Sequence, residues 1–573
     1  MKSTIRLVLI GFLQGALLLW MHKLIQWKIW PATSFAIVLT WYVVLIAVPL
    51  ALQLMAGYLS DPRAWKFSAS LAAILAALSV YAVRTSLGTR FSVSAEENGI
   101  FYFLLTVTLG WYVALPFAQS WLKRGQRLFP YEDLFEYSWN NILAILTAGF
   151  FTALFWGSLG LWAGMFLILK ISFFAKLFTK LWFLYIVTAS VFGFAISFGR
   201  SQQGLVSNLR KTMLMIFTNL LPLPAFIALI FLAALPFTGL KPLWDTHRAT
   251  SLMLNLQLYV IFFLNAVYQD GKGEPPYNRV VRRLVEAGVI VLPVYAALCA
   301  HSLQLRIAQY GWSVSRVFAA LAVFVTALYG IGYSWTALKR ESPWMKRMGA
   351  VNVRIAAMVI GLAILVNTPL LDPRLIALRS QTTRLLRGVV SADQFDYDYL
   401  QFELGKAGRK ELRLLSELQN HPQAELIRNR AIAVLAKKKR WQQVGVQVQT
   451  VAQLVQQLKL FPEQKSFDPV FLEFLLSQKG KHPEYIQQDT HVLAIDLNKD
   501  GTEEYIFFSR SRPSYVFYFT PAGWRKAGEL RGKWLDAQER EKELKSQNYE
   551  VVAPEWNLLR IGKVTYSLFE NNN

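Results

Sequence analysis

At 573 residues, the chain is 54% hydrophobic, 14% aromatic and only 17% charged, with mean hydropathy +0.32, a balance that excludes a large soluble helical protein. Its net charge of +24 is concentrated before residue 370, where about +19 of it falls between apolar stretches, so it marks membrane topology and contact with anionic membrane lipids, not nucleic acid. The single cysteine, Cys299, lies within an apolar run and leaves no disulfide framework or cysteine metal site within one chain.

In chain order, apolar stretches at 7–20, 31–56, 67–83, 99–121, 142–169, 181–198, 213–237, 251–267, 284–300, 317–338 and 355–370 predict about eleven transmembrane helices. Runs such as 31–56 and 142–169 are apolar all round and long enough, at ~1.5 Å per residue, to cross ~30 Å of hydrocarbon. The first stretch follows Lys2 and Arg6, but Trp20, Met21, His22 and Lys23 stand where a signal peptidase needs small residues, so it is expected to be retained as a helix. Trp and Tyr at span ends, such as Trp41 with Tyr42 and Trp111 with Tyr112, read as interfacial belts. Pro222 and Pro224 inside the seventh span remove backbone donors and predict a kink.

With a cytoplasmic amino terminus, the cytoplasmic segments carry about 19 Lys and Arg and the opposite segments about 11. The expected location is therefore a bacterial inner membrane with the amino terminus inside, and an odd number of spans places everything after residue 370 in the periplasm.

Ionisable groups at mid-membrane depth, which charge-moving transporters need, are nearly absent. The spans instead hold neutral polar groups: Asn140 and Asn141 entering the fifth, Asn219 in the seventh, and Asn255, Gln257, Tyr259 and Asn265 in the eighth. Asn255 and Tyr259 are four apart and share a helix face. Asn219, Asn255, Tyr259 and Asn265 form the candidate intramembrane polar site, either as hydrogen bonds between helices or as the lining of a cavity. Glu132, Asp133 and Glu136, and Asp245 with His247, read as loop and cap residues.

Beyond residue 370 the texture changes. Apolar residues at three- and four-residue intervals over 393–418 and 424–439 predict two or three amphipathic helices, and Lys437, Lys438, Lys439 and Arg440 read as a solvated helix end. Short alternating strands follow at 492–495, 505–509, 515–520 and 564–569, with Pro521, Ala522 and Gly523 as a turn. The fold class is thus an α-helical polytopic membrane protein with a small C-terminal α+β soluble domain, divided as 1–370, 371–480 and 481–573.

Between the first two of these strands, Asp496, Asn498, Asp500, Thr502 and Glu504 form an Asp-x-Asn-x-Asp-Gly loop in which Gly501 permits a sharp bend. Hard oxygens in that spacing suit calcium, with side chains from Asp496, Asn498, Asp500 and Glu504 and the carbonyl of Thr502. The alternative is a metal-free turn closed by the same side chains. The loop departs from a helix-flanked calcium loop, having Phe507 at its twelfth position, and is similar to the strand-flanked calcium loops of integrin-type propeller repeats, with one copy present.

Several stretches carry a family likeness: YEDLF at 131–135 leading into Ser138, Trp139 and Asn140, FWGSLGLWAGMF at 155–166, NAVYQDG at 265–271, PPYNRVVRR at 275–283 and LRIAQYGWSVSRV at 305–317. Over roughly residues 1–420 the chain resembles the bacterial integral inner-membrane proteins grouped as the domain of unknown function 4153 family. That resemblance implies an inner-membrane protein with no assigned reaction and supplies no catalytic residues. The functional expectation is a membrane-anchored sensing or binding protein with an external calcium-stabilised domain. A transporter or lipid flippase is the alternative, and a membrane-embedded enzyme acting on lipid-linked substrates the second alternative.

Overall fold

The computed structural model describes residues 2–85, 97–201, 203–239, 249–437, 450–478, 482, 485, 490–508, 514–530, 537–552, 559–561 and 564–566. Lys438, Lys439, Arg440, Asp245, His247 and the end of the 564–569 strand lie outside them. The chain divides into two compact units, Met1–Leu435 and Ala436–Asn573. The sequence-based divisions at 370 and 480 do not coincide with this boundary, because the helices after residue 372 pack within the first unit.

The first unit contains α1 (Lys2–Trp27), α2 (Phe35–Leu54), α3 (Pro62–Thr85), α4 (Glu97–Arg124), α5 (Tyr131–Ile168), the short α6 (Phe173–Phe178), α7 (Leu181–Ser201), α8 (Gln203–Leu220), α9 (Pro222–Thr238), α10 (Ala249–Tyr268), α11 (Arg279–Ile290), α12 (Leu292–Tyr310), α13 (Val314–Lys339) and α14 (Met348–Leu365). Among the described residues, 11 helical stretches are long and apolar enough to cross a membrane, each coinciding with a stretch read from the sequence. Their outward faces expose large apolar side chains, with Phe150 at 67% and Leu161 at 68%. Patches of that size suit hydrocarbon as the surrounding medium and would drive association in water.

Two spans are broken by proline. The seventh is interrupted at Leu221, between α8 and α9, where Pro222 and Pro224 lack N–H donors; this is the proline pair from which the sequence predicts a kink. The ninth breaks in the same way at Val291, ahead of Pro293, a break the sequence reading does not include. Helix α5 runs 38 residues, starting well before the apolar stretch at 142. At ~1.5 Å per residue it is longer than the hydrocarbon is thick.

Close packing of α1 on α7 relies on small residues, as expected where no hydrophobic effect pulls helices together. A β-carbon at Gly11 would collide with the carbonyl oxygen of Ala189, and one at Gly15 would stand 2.5 Å from the carbonyl oxygen of Tyr185.

The unit closes with α15 (Pro373–Leu386), α16 (Tyr397–Phe402), α17 (Gly405–Ser416) and α18 (Ala424–Leu435), which share an apolar core of Leu385, Leu400, Leu412 and Ile427. Asp372 caps α15 by accepting from the Arg374 N–H at 2.9 Å, and its other oxygen accepts from the Tyr81 hydroxyl at 3.0 Å, tying this helix to the end of α3.

The second unit contains α19 (Val451–Gln457), β1 (Leu458–Phe461), α20 (Pro469–Gln478), β2 (Thr490–Ile495), β3 (Glu504–Phe508), β4 (Ser514–Thr520), β5 (Gly523–Leu530), α21 (Ala537–Lys545), β6 (Leu559–Ile561) and β7 (Val564–Tyr566). Five strands form one sheet in the order β1-β2-β3-β4-β5, with β1 parallel to β2 and the rest antiparallel, while β6 and β7 form a separate pair. Alternation places Val492, Tyr505, Phe507 and Phe517 on one face against Phe471 of α20. Leu493, Ile506 and Val516 occupy the other face with Leu544 of α21. Strands β1, β5 and β6 are absent from the sequence reading. The turn at Pro521 and Ala522 joins β4 to β5, and Gly523 supplies a φ of +105°.

Candidate functional site

Consecutive spans alternate in direction, so the loops around 55–61, 125–130, 269–278 and 340–347 share one face of the bundle. Contacts between them agree: Lys272 pairs with Glu132 at 2.8 Å, and Arg63 donates to the carbonyls of Trp121 and Leu122 at the end of α4. This face also holds Lys123 and Arg124, both paired with the buried carboxylate of Asp133 at 2.9 and 2.5 Å. Asp133 and Glu132 are therefore structural ion partners at the start of α5. We refer to this side as the basic face.

Two cavities lie in the half of the bundle nearest it, on opposite sides of α5. The larger, about 670 Å³, is walled by Leu109 and Tyr112 of α4, Phe135 and Trp139 of α5, Phe217 of α8 and Leu258 and Phe262 of α10. Its remaining wall comes from Tyr329 of α13 and Asn352 and Ala356 of α14. Leu109, Leu258 and Phe262 are each about half exposed on the outer surface of their helices, so the cavity opens sideways, toward where acyl chains lie.

One wall of this apolar space is polar. The Asn265 amide donates to the Tyr333 hydroxyl at 2.7 Å, Tyr333 donates to the Asn352 carbonyl oxygen at 2.5 Å, and the Asn352 amide donates back to Asn265 at 2.7 Å. Tyr131 donates to the same Asn265 oxygen at 3.3 Å. The ring joins α5, α10, α13 and α14, and each donor in it has an acceptor. Asn352 and Tyr131 both line the cavity and keep acceptor lone pairs for a ligand hydroxyl or amide.

Of the predicted intramembrane residues, only Asn265 belongs to this ring. Asn219 turns back to donate to the Met215 carbonyl at 2.9 Å on its own helix and is exposed. Asn255 and Tyr259 share a face, and that face is exposed on the outside of the bundle. The four residues do not converge. Tyr131, Tyr333 and Asn352 were not singled out by the sequence reading, since a lone Tyr or Asn near a span end is indistinguishable from an interfacial residue.

The second cavity, about 370 Å³, is lined by Tyr58, Gln119, Glu136, Tyr137, Asn140, Asn141, Arg200 and Arg210 among others. Residues 135, 138, 139 and 142 of α5 face the apolar cavity and 136, 137, 140, 141 and 144 the polar one, so a 3.6-residue period separates two chemistries on one helix. Gln119 and Asn141 exchange amide hydrogen bonds of 3.0 and 2.8 Å at its inner wall.

In the second unit, the loop between β2 and β3 draws Asp496, Asn498 and Asp500 into one turn. The Asp500 N–H is shared by Asp496 Oδ1 at 3.1 Å and Asn498 Oδ1 at 2.9 Å, and the Gly501 N–H reaches Asp496 Oδ2 at 2.9 Å. Hydrogen bonds from the Thr502 hydroxyl, the Thr502 N–H and the Asn498 amide hold the Asp500 carboxyl below the usual carboxylate range. Glu504, buried at the start of β3, accepts from the Leu497 N–H at 2.7 Å. These bonds close the turn. Among the described residues, no group of three or more His, Cys, Asp and Glu stands close enough to hold a metal ion. Each carboxylate nevertheless has about four lone-pair sites, so oxygens that accept one or two N–H bonds can still face a cation.

Residues 34–415 match the family model described as domain of unknown function (DUF4153), and the chain belongs to that family. No curated protein and no solved structure matches it.

Proposed function

We propose that this DUF4153 member is a membrane-embedded binding protein for a lipid-like ligand, held in the larger cavity with an apolar portion between α4 and α10 and a hydroxyl or amide against Tyr131 and Asn352. The carrying observation is a sideways-opening space of about 670 Å³ whose walls are apolar except for one hydrogen-bonded polar cluster. That combination is what an amphipathic ligand needs: area for its chain and a few fixed polar groups for orientation. Binding and transport of a lipid share this chemistry. Replacing Ala356 by Trp should obstruct the cavity and lower the lipid retained per molecule of purified protein, read by extraction and mass spectrometry. Unchanged retention with an intact fold would sink the proposal.

We also propose that the membrane is a bacterial inner membrane with the basic face cytoplasmic, from the excess of Lys and Arg in those loops. An odd number of spans then carries the carboxy terminus to the periplasm, and a carboxy-terminal reporter that fluoresces only in the cytoplasm should stay dark. A bright reporter would reverse the assignment.

In that compartment the 496–504 loop would bind calcium weakly, at ~10⁻⁴ to 10⁻³ M, with Asp496, Asn498 and Asp500 as side-chain ligands, Thr502 giving its carbonyl and Glu504 completing the set. Support comes from the shared Asp500 N–H, which brings oxygens of Asp496 and Asn498 to within 3.1 Å of one atom. Calcium at ten times Kd should stabilise the second unit by about 1.4 kcal/mol, and Asp500→Ala should abolish that gain. A carboxyl pKa lowered by folding stabilises above its ordinary value of ~3.9 and loses that contribution as pH falls through the folded value, so the calcium effect should vanish in acid. Equal melting in calcium and chelator at neutral pH would leave the loop a metal-free turn.

A further inference from the structure

The polar cavity on the other side of α5 is lined by two arginines that have no acidic ion-pair partner among the described residues. Arg200, at the end of α7, donates from Nη1 to the Leu54 carbonyl at 2.6 Å, and Arg210, near the start of α8, donates from Nη1 to Asn140 Oδ1 at 3.2 Å. Neither guanidinium forms an ion pair among the described residues. Nine residues separate them in sequence, 201–209, and none is acidic.

An arginine that merely anchors a span end reaches away from the bundle into headgroups. These two instead turn to the bundle and line a partly open cavity with Tyr58, Tyr137 and Asn140, and the hydroxyls of Tyr58 and Tyr137 lie 3.0 Å apart. A guanidinium has five N–H donors in a rigid fork, so among the described residues each arginine retains donors after its one protein bond. The carboxylate at the rim, Glu136, forms no ion pair among the described residues, and the Lys123 ammonium acts on it electrostatically. The cavity therefore keeps a net positive charge, with forked donors on two of its helices.

We infer that this cavity binds a phosphate group, gripped by Arg200 and Arg210 and oriented by the Tyr58 and Tyr137 hydroxyls. Phosphate matches the fork geometry of guanidinium and spreads its charge over several acceptors, which two arginines on neighbouring helices can share. The cavity sits at the depth of the basic face, where a phospholipid headgroup presents that group and where free phosphate esters arrive from water. This site lies across α5 from the apolar cavity and does not rest on the lipid-binding proposal made for it.

The test uses the full chain in non-ionic detergent at constant ionic strength set with chloride. Thermal melting is followed during titration with inorganic phosphate, with dihexanoyl phosphatidylglycerol, and with dihexanoylglycerol as the chain-matched control lacking phosphate. Saturable protection that Arg210→Gln weakens is expected from a phosphate-bearing probe, whereas protection by dihexanoylglycerol, whose hydroxyl and acyl chains suit the larger cavity, should be indifferent to Arg210→Gln. Protection by inorganic phosphate identifies the group alone as sufficient, whereas protection by phosphatidylglycerol alone identifies the lipid headgroup. Arg210→Gln should weaken apparent affinity about tenfold or more, and Arg210→Lys, which keeps charge but loses the fork, about threefold to tenfold. Arg200→Gln should match Arg210→Gln where it folds. If its lost bond to Leu54 prevents folding, the two Arg210 variants decide. Absence of protection by either phosphate probe, or protection by them that survives Arg210→Gln, overturns the assignment.

Discussion

Helix α10 carries two asparagines ten residues apart, and the structure treats them differently. Asn265 bonds to Tyr333, Asn352 and the Ile261 carbonyl and accepts from Tyr131, while Asn255 is exposed on the outer surface with no hydrogen bond among the described residues. Ten residues at ~100° each leave the two side chains about 80° apart around the helix, enough to turn one inward and the other outward. A polar residue in a span is thus not in itself a sign of a site. What distinguishes Asn265 is that three other helices bring partners to it.

The largest effect should come from breaking the ring. Asn265→Leu removes the acceptor of Tyr131 and Asn352 and the donor to Tyr333, leaving buried polar atoms without partners. Interhelical hydrogen bonds in membranes average ~0.6 kcal/mol with a maximum near ~1.7, and an orphaned buried group loses ~1 to 3. We expect a loss of about 1 to 2 kcal/mol of stability in detergent, measured by reversible unfolding. A loss below about 0.5 kcal/mol would show that the ring does not hold the bundle together. Ala356→Trp sharpens the comparison from the cavity side: it touches the same space without removing a hydrogen bond, so lipid retention should fall while stability changes little.

The contrast also explains what the sequence made legible. Span number and position were readable because an apolar run must be continuous to cross a bilayer, and this chain obeys that rule at each of the 11 stretches. The interruption at Pro222 was legible because a proline pair removes two backbone donors from a span, whereas the break at Val291 hid behind a single Pro293. Strands β2, β3 and β4 showed their alternation. The polar β5, Gly523–Leu530, and the four-residue β1 did not. The site was only partly legible, since its residues come from distant spans: Tyr131, Asn265, Tyr333 and Asn352 are joined by tertiary packing alone. Arg200 and Arg210 resemble ordinary topology signals until the fold places both in one cavity.

The smallest expected effect belongs to Asn255→Leu. If α10 presents this face to hydrocarbon, the asparagine amide has no partner to lose, and leucine removes an unfavourable polar group from an apolar medium. The change in stability should lie within about 0.5 kcal/mol of zero, with a bias toward stabilisation. Tyr259, one turn further along the same exposed face, should behave alike when replaced by Phe. A destabilisation by Asn255→Leu as large as that of Asn265→Leu would mean that the outward face of α10 meets a polar partner outside this bundle, such as a second copy of the chain. It would also place a protein neighbour beside the rim residues Leu258 and Phe262, and the sideways opening of the larger cavity would then face that neighbour in place of lipid.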